Sequence, residues 1–184
     1  MQKVFIARIF LFVILIVGVL YLLLYKGQPA AIVDKVNISA AVSESIETRH
    51  PPEGWREYKD ITYHFSLLYP QELGVSERLE GGNAATITFQ NVEKGMGFQI
   101  FIVPYSEQQI SQERFKRDVP SGVQTDLENV TIDSAAGATF YSRDVLLGGT
   151  REIWFIRKEF LYEVTTLREQ DAWLSGIIKT WLFL

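Results

Sequence analysis

Hydrophobic and polar positions follow a different pattern in each of three parts of the chain. The first part is apolar without interruption, because no charged or strongly polar side chain lies between Ile9 and Tyr25. A helix rises about 1.5 Å per residue, so residues 4–25 would span roughly 30 Å, the thickness of the hydrocarbon core. The pattern therefore predicts a single transmembrane helix that contacts the lipid bilayer through residues 4–25.

The end of this apolar run bears on whether it is removed. A secretory signal has an apolar region of about 7–15 residues and then a small-x-small cleavage site. Here the run is longer and ends in "YLLLYKGQPAAIV", where Ala30 and Ala31 form a poor site after Pro29. We expect an uncleaved signal-anchor, with a cleaved signal as the alternative. The short basic N-terminus favours a cytoplasmic N-terminus and an extracytoplasmic C-terminal domain, in a single-pass protein of the cell membrane.

The second part predicts a flexible tether. No aromatic residue lies between Gly27 and Glu53, and Pro51-Pro52 imposes an extended backbone. As a coil, this segment would reach roughly 30 Å. A short helix or a partner-binding segment here is the alternative. The predicted organisation is a cytoplasmic stub and anchor (1–26), a tether (27–53) and a folded domain (54–184).

The third part has a period of two, which is typical of strands. In "ITYHFSLLYP" the apolar residues alternate from Ile61 onward, and "LGVSERLEGGNAATITFQNV" predicts a hairpin turning at 81–83. "FQIFIVPY" is apolar on both sides, which indicates a central strand. "NVTIDSAAGATFYSRDV" predicts two strands turning at Ala136-Gly137, and "TREIWFIRKEFLYEVTT" a hairpin folded at 157–159. The glycines of "LLGGTRE" (148–149) predict another hairpin turn, because a strand pattern follows them.

Two segments have helical spacing instead. "SEQQISQERFKRDV" begins with a capping-box pattern at Ser106 and Gln109. "EQDAWLSGIIKTWLFL" places Trp173, Ile177 and Trp181 at helical steps, which predicts a helix packed on the sheet. A helix lying on a membrane surface is the alternative. Runs of strands with two separate helices predict an α+β domain with a mainly antiparallel β-sheet covered by helices.

Charge and composition exclude several classes of function. Residues 53–184 carry 19 acidic side chains against 13 basic ones. We expect no nucleic-acid binding, because phosphate neutralisation supplies most of that affinity. The chain has no cysteine, which excludes disulfides, thiolate catalysis and a lipoprotein leader.

Few residues suggest chemistry. His50 lies in the tether and His64 on a predicted strand, and no GxSxG elbow accompanies them. Among the carboxylates, Asp133 and Asp144 are the nearest candidates for an acid pair, although both also fit turn positions. We therefore assign no catalytic, cofactor-binding or metal-binding residue, and we expect no cofactor.

Two further features have ordinary structural explanations. The basic cluster of Arg114, Lys116 and Arg117 predicts a solvated helix face, with contact to acidic groups of a partner as the alternative. The sequences "NIS" at 37 and "NVT" at 129 fit glycosylation acceptors in a secreting eukaryote.

Several short motifs resemble the PsbP-like fold family, which includes the photosystem II extrinsic subunit and bacterial envelope domains of the DcrB type. The motifs are an aromatic strand ending in Tyr-Pro ("YHFSLLYP"), the strand pair "VTIDSAAGATF", the strand "FLYEVTT" and the closing segment "IIKTWLFL". Together they cover roughly residues 55–184. The resemblance implies an α/β/α sandwich, and it transfers no functional residue to this chain.

The sequence thus favours a membrane-tethered extracytoplasmic binding or scaffold domain that is not an enzyme. We expect its partner to be another protein of the cell envelope. The alternative is an extracytoplasmic hydrolase that uses a carboxylate pair near Asp133 or Asp144.

Overall fold

Strands dominate the part of the chain that the structure, a computed structural model, describes, namely residues 49–184. The elements in chain order are β1 (Trp55–Asp60), β2 (Phe65–Pro70), β3 (Gly74–Leu79), β4 (Ala85–Asn91), β5 (Met96–Pro104), α1 (Gln112–Asp118), β6 (Thr125–Ile132), β7 (Ala135–Asp144), β8 (Gly148–Arg157), β9 (Phe160–Leu167), α2 (Asp171–Ile178) and β10 (Leu182–Phe183). Residues from His50 to Leu184 form one compact unit. Within residues 49–184 there is no helix with the length and apolar character needed to cross a membrane. The predicted membrane helix and most of the predicted tether lie outside the described residues.

The strands form two antiparallel sheets. The large sheet has the order β3-β4-β5-β9-β8-β7-β6, and the small sheet has the order β1-β2-β10. Neighbouring strands in both sheets run antiparallel. The predicted α+β class with a mainly antiparallel sheet is therefore confirmed.

Hydrophobic residues cover both faces of the large sheet. On one face, Phe155 of β8 belongs to the main core, which also includes residues of the small sheet and of α2 such as Phe65 and Leu174. On the other face, Trp154 of β8 packs with Phe115 of α1 in a second, smaller core. Successive residues of a strand point to opposite faces, so the continuous apolar run of β8 serves both layers.

One end of the large sheet also receives the incoming chain. Trp55 of β1 pairs with Pro70 of β2, and the backbone N–H of Gln71 donates to the carbonyl of Gly54 over 2.9 Å. The chain then starts β3 at Gly74. The next residue, Val75, lies in one row of the large sheet with Phe89, Phe98, Thr166, Arg151 and Tyr141. We call this the entry end. The β7–β8 turn at 145–147 lies at the entry end, because it directly follows the end of β7 at Asp144.

Two predicted hairpins are confirmed. β3 and β4 pair across the turn at Gly81–Asn83, and β8 and β9 pair across Lys158-Glu159. The strand predicted from Ile61 is wrong over its first four residues. The Oδ1 atom of Asp60 accepts the backbone N–H groups of Thr62 and Tyr63 at 2.8 and 2.9 Å, and His64 has a φ of 54°. This turn delays β2 until Phe65 and leaves Ile61 77% exposed.

The turn predicted at Ala136-Gly137 is also wrong, because both residues lie inside β7. The chain reverses at Asp133 and Ser134, whose φ angles of 39° and 67° are both positive, as a type I′ turn requires. Gly137 is needed for close packing. A Cβ at this position would lie 2.5 Å from the carbonyl oxygen of Trp154 on β8.

Both helices differ from their predicted bounds. The cap of α1 is Ser111, whose hydroxyl accepts the Arg114 N–H over 3.1 Å, and not Ser106. The second helix ends at Ile178. The hydroxyl of Thr180 then accepts the Leu68 N–H over 2.8 Å, and this contact directs the chain into β10. Trp181 is buried as expected, but it lies after the helix and not on it.

Candidate functional site

The histidines and aspartates considered in the sequence do not come together. His50 and His64 are exposed. Asp133 precedes β7 and Asp144 ends it, so about ten strand residues, roughly 30 Å, separate the two carboxylates. Each carboxylate accepts hydrogen bonds from backbone N–H groups instead. Asp133 accepts the Phe183 N–H over 2.6 Å, and Asp144 accepts the N–H groups of two residues in the following turn. Asp133 and Asp144 therefore do not form the acid pair that the alternative hypothesis considered.

The structure reveals a buried charge cluster that sequence reasoning missed. Arg114 of α1 is 5% exposed, and its Nε and Nη2 atoms donate to Oε1 of Glu163 on β9 at 3.1 and 2.9 Å. Its Nε atom also forms an ion pair with Asp118. The solvated helix face predicted for this region is therefore correct only for Lys116 and Arg117, which are exposed. The signal in the sequence was a single glutamate within the apolar strand "FLYEVTT".

This cluster changes the protonation of Glu163. Burial, and then the charge of Asp118, raise the pKa of Glu163 to about 8, and the Arg114 guanidinium opposes this shift only in part. One guanidinium between two carboxylates has a net negative charge in a dry environment, and a proton on Glu163 neutralises it. The cluster therefore ties α1 to the sheet most firmly when Glu163 is protonated.

Glu152 of β8 is a second buried carboxyl on the same face. The hydroxyls of Thr150 and Thr165 donate to it at 2.7 and 2.6 Å, and the Trp154 indole donates over 3.3 Å. Burial raises the pKa of Glu152, and these three hydrogen bonds oppose that rise. Because Glu152 pairs with Thr165 and Trp154 pairs with Glu163, the two glutamates occupy diagonal positions on neighbouring strands.

A groove beside α2 is lined by both apolar and cationic side chains. It has a volume of about 290 Å³ and lies between α2 and strands β6, β7 and β8. The apolar side chains that line it are Val130, Ile132, Ile153 and Ile178. Arg151 and Lys179 also line this surface, which we call the α2 groove, and give it positive charge. A second groove, of about 320 Å³, lies near the β8–β9 turn and includes Arg157 and Lys158. Neither groove is lined by Glu152 or Glu163.

A polar cluster fixes Arg151 at the α2 groove. The Nε atom of Arg151 lies 3.0 Å from Oδ1 of Asp171, and the Tyr141 hydroxyl donates to Oδ2 of the same carboxylate over 2.6 Å. That hydrogen bond, followed by burial, raises the pKa of Tyr141. The guanidinium carbons of Arg151 and Arg168 lie 4.6 and 4.3 Å from the Tyr141 ring centroid. Arg151 is thereby held in one orientation, in an ion pair with Asp171.

The arrangement of possible metal ligands bears on whether the domain could hold a metal ion. Between residues 49 and 184, no group of three or more histidine and carboxylate side chains is arranged to hold a metal ion. The expectation that the chain binds no metal or cofactor stays a prediction.

Comparison with known proteins identifies the fold. No protein-family model matches the chain, and no curated protein matches it. Among solved structures, the chain is similar to that of cyanobacterial PsbP (CyanoP) from Synechocystis sp. PCC 6803. The two are 11% identical with a TM-score of 0.52, and the match covers 80% of this chain and 99% of that one. The resemblance seen in the sequence is therefore confirmed, and the domain has the PsbP-like fold.

Proposed function

We propose that this chain is a membrane-tethered extracytoplasmic binding or scaffold domain without catalytic activity. The apolar run of residues 4–25 supports the anchor, and the tether composition of residues 27–53 supports a domain held near the bilayer. The PsbP-like fold is compatible with a binding role. Its partner in this proposal is another protein of the cell envelope.

The observation that carries the binding role is the α2 groove. Its apolar lining offers surface area that a partner can bury, and the exposed cation of Lys179 favours acidic groups on that partner. β6 is the last strand of the large sheet and forms one wall of the groove. An outer strand presents unpaired backbone groups, to which an extended partner segment can add as a further strand. The partner we propose therefore presents an extended segment with alternating apolar and acidic side chains.

Site-specific photo-cross-linking tests this proposal. A photoreactive residue replaces Ser175, which lines the α2 groove, in the full chain, in its native membranes, and a matched chain carries it at Lys116, an exposed lysine on α1. We expect a discrete adduct with one envelope protein from position 175 and none from position 116. The exposed Thr131 of β6 lines the groove, so Thr131→Trp should block the groove and abolish the adduct. Equal adducts from both positions, or an adduct that Thr131→Trp leaves unchanged, would contradict the proposal.

The alternative, an extracytoplasmic hydrolase, has one supporting observation. Glu152 and Glu163 are two carboxyl groups with raised pKa values at diagonal positions of one sheet face. Both are less than 10% exposed, and their oxygens are engaged by neighbouring side chains. The alternative therefore requires α1 to move before a substrate reaches them. Hydrolysis by the wild type that Glu163→Gln abolishes, without loss of the fold, would support it over the binding role.

A further inference from the structure

The turn between β7 and β8 presents three consecutive aliphatic side chains to solvent. Val145 is 92% exposed, Leu146 67% and Leu147 37%. Runs of exposed apolar residues are avoided on protein surfaces unless they serve a contact. We call Val145, Leu146 and Leu147 the aliphatic tip.

Two backbone N–H groups of the aliphatic tip already have hydrogen-bond partners within the turn. The Oδ1 atom of Asp144 accepts the N–H groups of Leu146 and Leu147 at 2.7 and 2.8 Å. Gly148, with a φ of 81°, closes the turn. Moving an unpaired N–H group out of water carries a large cost. Two of these groups are already satisfied within the turn, so that cost is reduced.

The side chains behind the aliphatic tip are those that favour a membrane–water interface. Arg143 is exposed directly before the turn, and Tyr141 lies beneath the Arg168 guanidinium. Aromatic rings and long cationic side chains locate at head-group level, where the ring or stem is apolar and the end is wet. The carboxylate of Asp144 follows Arg143 in the chain, so the net charge next to the aliphatic tip is small. Apolar insertion, and not attraction to anionic lipid, is therefore the driving force.

The position of the aliphatic tip in the fold also favours the bilayer. The tip lies at the entry end of the large sheet, where Gly54 and Gln71 bring the chain into the domain. In the proposed organisation the tether joins the domain at this same end. The exposed side chains of the tip can also be buried by lipid without a complementary pocket.

We propose that the aliphatic tip inserts into the head-group region of the bilayer that carries the anchor, and so orients the domain on the membrane. This inference rests on the proposed function, because the tether supplies the proximity. Three aliphatic side chains bind a bilayer weakly on their own. A tether of a few tens of residues raises their effective concentration to about the millimolar range, which favours the inserted state. The domain would then lie with its entry end toward the lipid.

A single-cysteine reporter tests the insertion directly, because the chain has no cysteine of its own. Leu146→Cys and Leu79→Cys are each labelled with an environment-sensitive fluorophore in the full chain and reconstituted into phosphatidylcholine vesicles. Leu79 is the matched control, since it is 81% exposed and ends β3 at the opposite end of the sheet. Some vesicles contain lipid with a nitroxide on the upper acyl chain, which quenches only probes in contact with lipid.

We expect the nitroxide to quench the probe at 146 at least about threefold more than the probe at 79, because in most molecules only the probe at 146 would contact lipid. Replacing Val145 and Leu147 by Ser, with the Asp144 cap kept, should return the probe at 146 to the control level. Circular dichroism of each variant checks that the domain remains folded.

Flotation of the vesicles separates the possible failures. Chains that float with the vesicles but show equal quenching at 146 and 79 overturn the insertion and leave the anchor intact. A probe at 146 that is shielded from water without nitroxide quenching shows that protein, and not lipid, covers the tip, and this also overturns the inference. Chains that do not float at all overturn the proposed tether, and the insertion with it.

Discussion

Trp181 is the side chain on which the stability of the closing segment depends most. It is 2% exposed, and its ring stacks on Phe65 of the small sheet with centroids 4.3 Å apart. It also meets Phe155 and Tyr162 of the large sheet edge-on, at 5.0 and 5.8 Å. Trp181 thus joins the two sheets, although it lies outside α2.

Trp181→Ala should remove most of this junction. Truncating a buried tryptophan costs about 3–5 kcal/mol, because the burial of the ring is lost and a cavity is left in its place. For a domain of this size each kcal/mol lowers the melting temperature by about 3 °C, so we expect a decrease of roughly 10–15 °C. The free-energy cost is a large part of the typical unfolding free energy of about 5–15 kcal/mol.

Differential scanning calorimetry of the domain measures the effect, with Trp173→Ala as the matched control. Trp173 is only half-buried on α2, and its ring lies 6.0 Å from that of Phe98, so its loss should cost about 1–2 kcal/mol. Trp181→Phe should fall between wild type and Trp181→Ala, because it keeps the stacking on Phe65. If Trp181→Ala melts within about 3 °C of wild type, or no lower than Trp173→Ala, the packing argument is refuted.

Three further predictions concern other parts of the domain. The folded state holds the proton of Glu163 up to about pH 8, whereas the unfolded chain releases it near 4.5. The stability that this proton provides is complete below 4.5 and is lost as the pH rises through 8, so urea unfolding at both ends of this window should show a loss that Glu163→Gln abolishes. Gly137→Ala should destabilise the domain by about 1–3 kcal/mol in the same assay, since its Cβ would meet the Trp154 carbonyl at 2.5 Å; an unchanged midpoint would refute the close approach. Ser111→Ala should cost about 1 kcal/mol through loss of the α1 cap, and Ser111→Asp should restore it; an equal cost for both variants would contradict the cap.

The sequence predicted those strands whose turns have their own local signals. Gly81–Asn83 and the 157–159 segment are recognisable as turns, and the hairpins around them were predicted correctly. The same local reasoning failed at Ala136-Gly137, where the glycine serves close packing against β8. It also failed at Ile61, where the Asp60 side chain captures the backbone before a strand can form.

The candidate site was less predictable because its residues come from distant parts of the chain. Arg114 and Glu163 are 49 positions apart, and no spacing rule links a helix residue to a strand residue across a sheet. The α2 groove likewise combines Arg151 of β8 with Lys179 after α2. Its position depends on the strand order, which a single sequence does not specify. The acid pair was sought near Asp133 and Asp144, whose carboxylates serve turns and backbone capping instead.

Membrane fractionation tests the central proposal, a domain tethered outside the cytoplasm, most directly. The proposal predicts that the full-length chain stays in the membrane pellet after carbonate extraction. It also predicts that added protease digests residues 53–184 only after the outer barrier is opened. A soluble chain that begins near Ala31, or a domain that the protease reaches only from the cytoplasmic side, would contradict it.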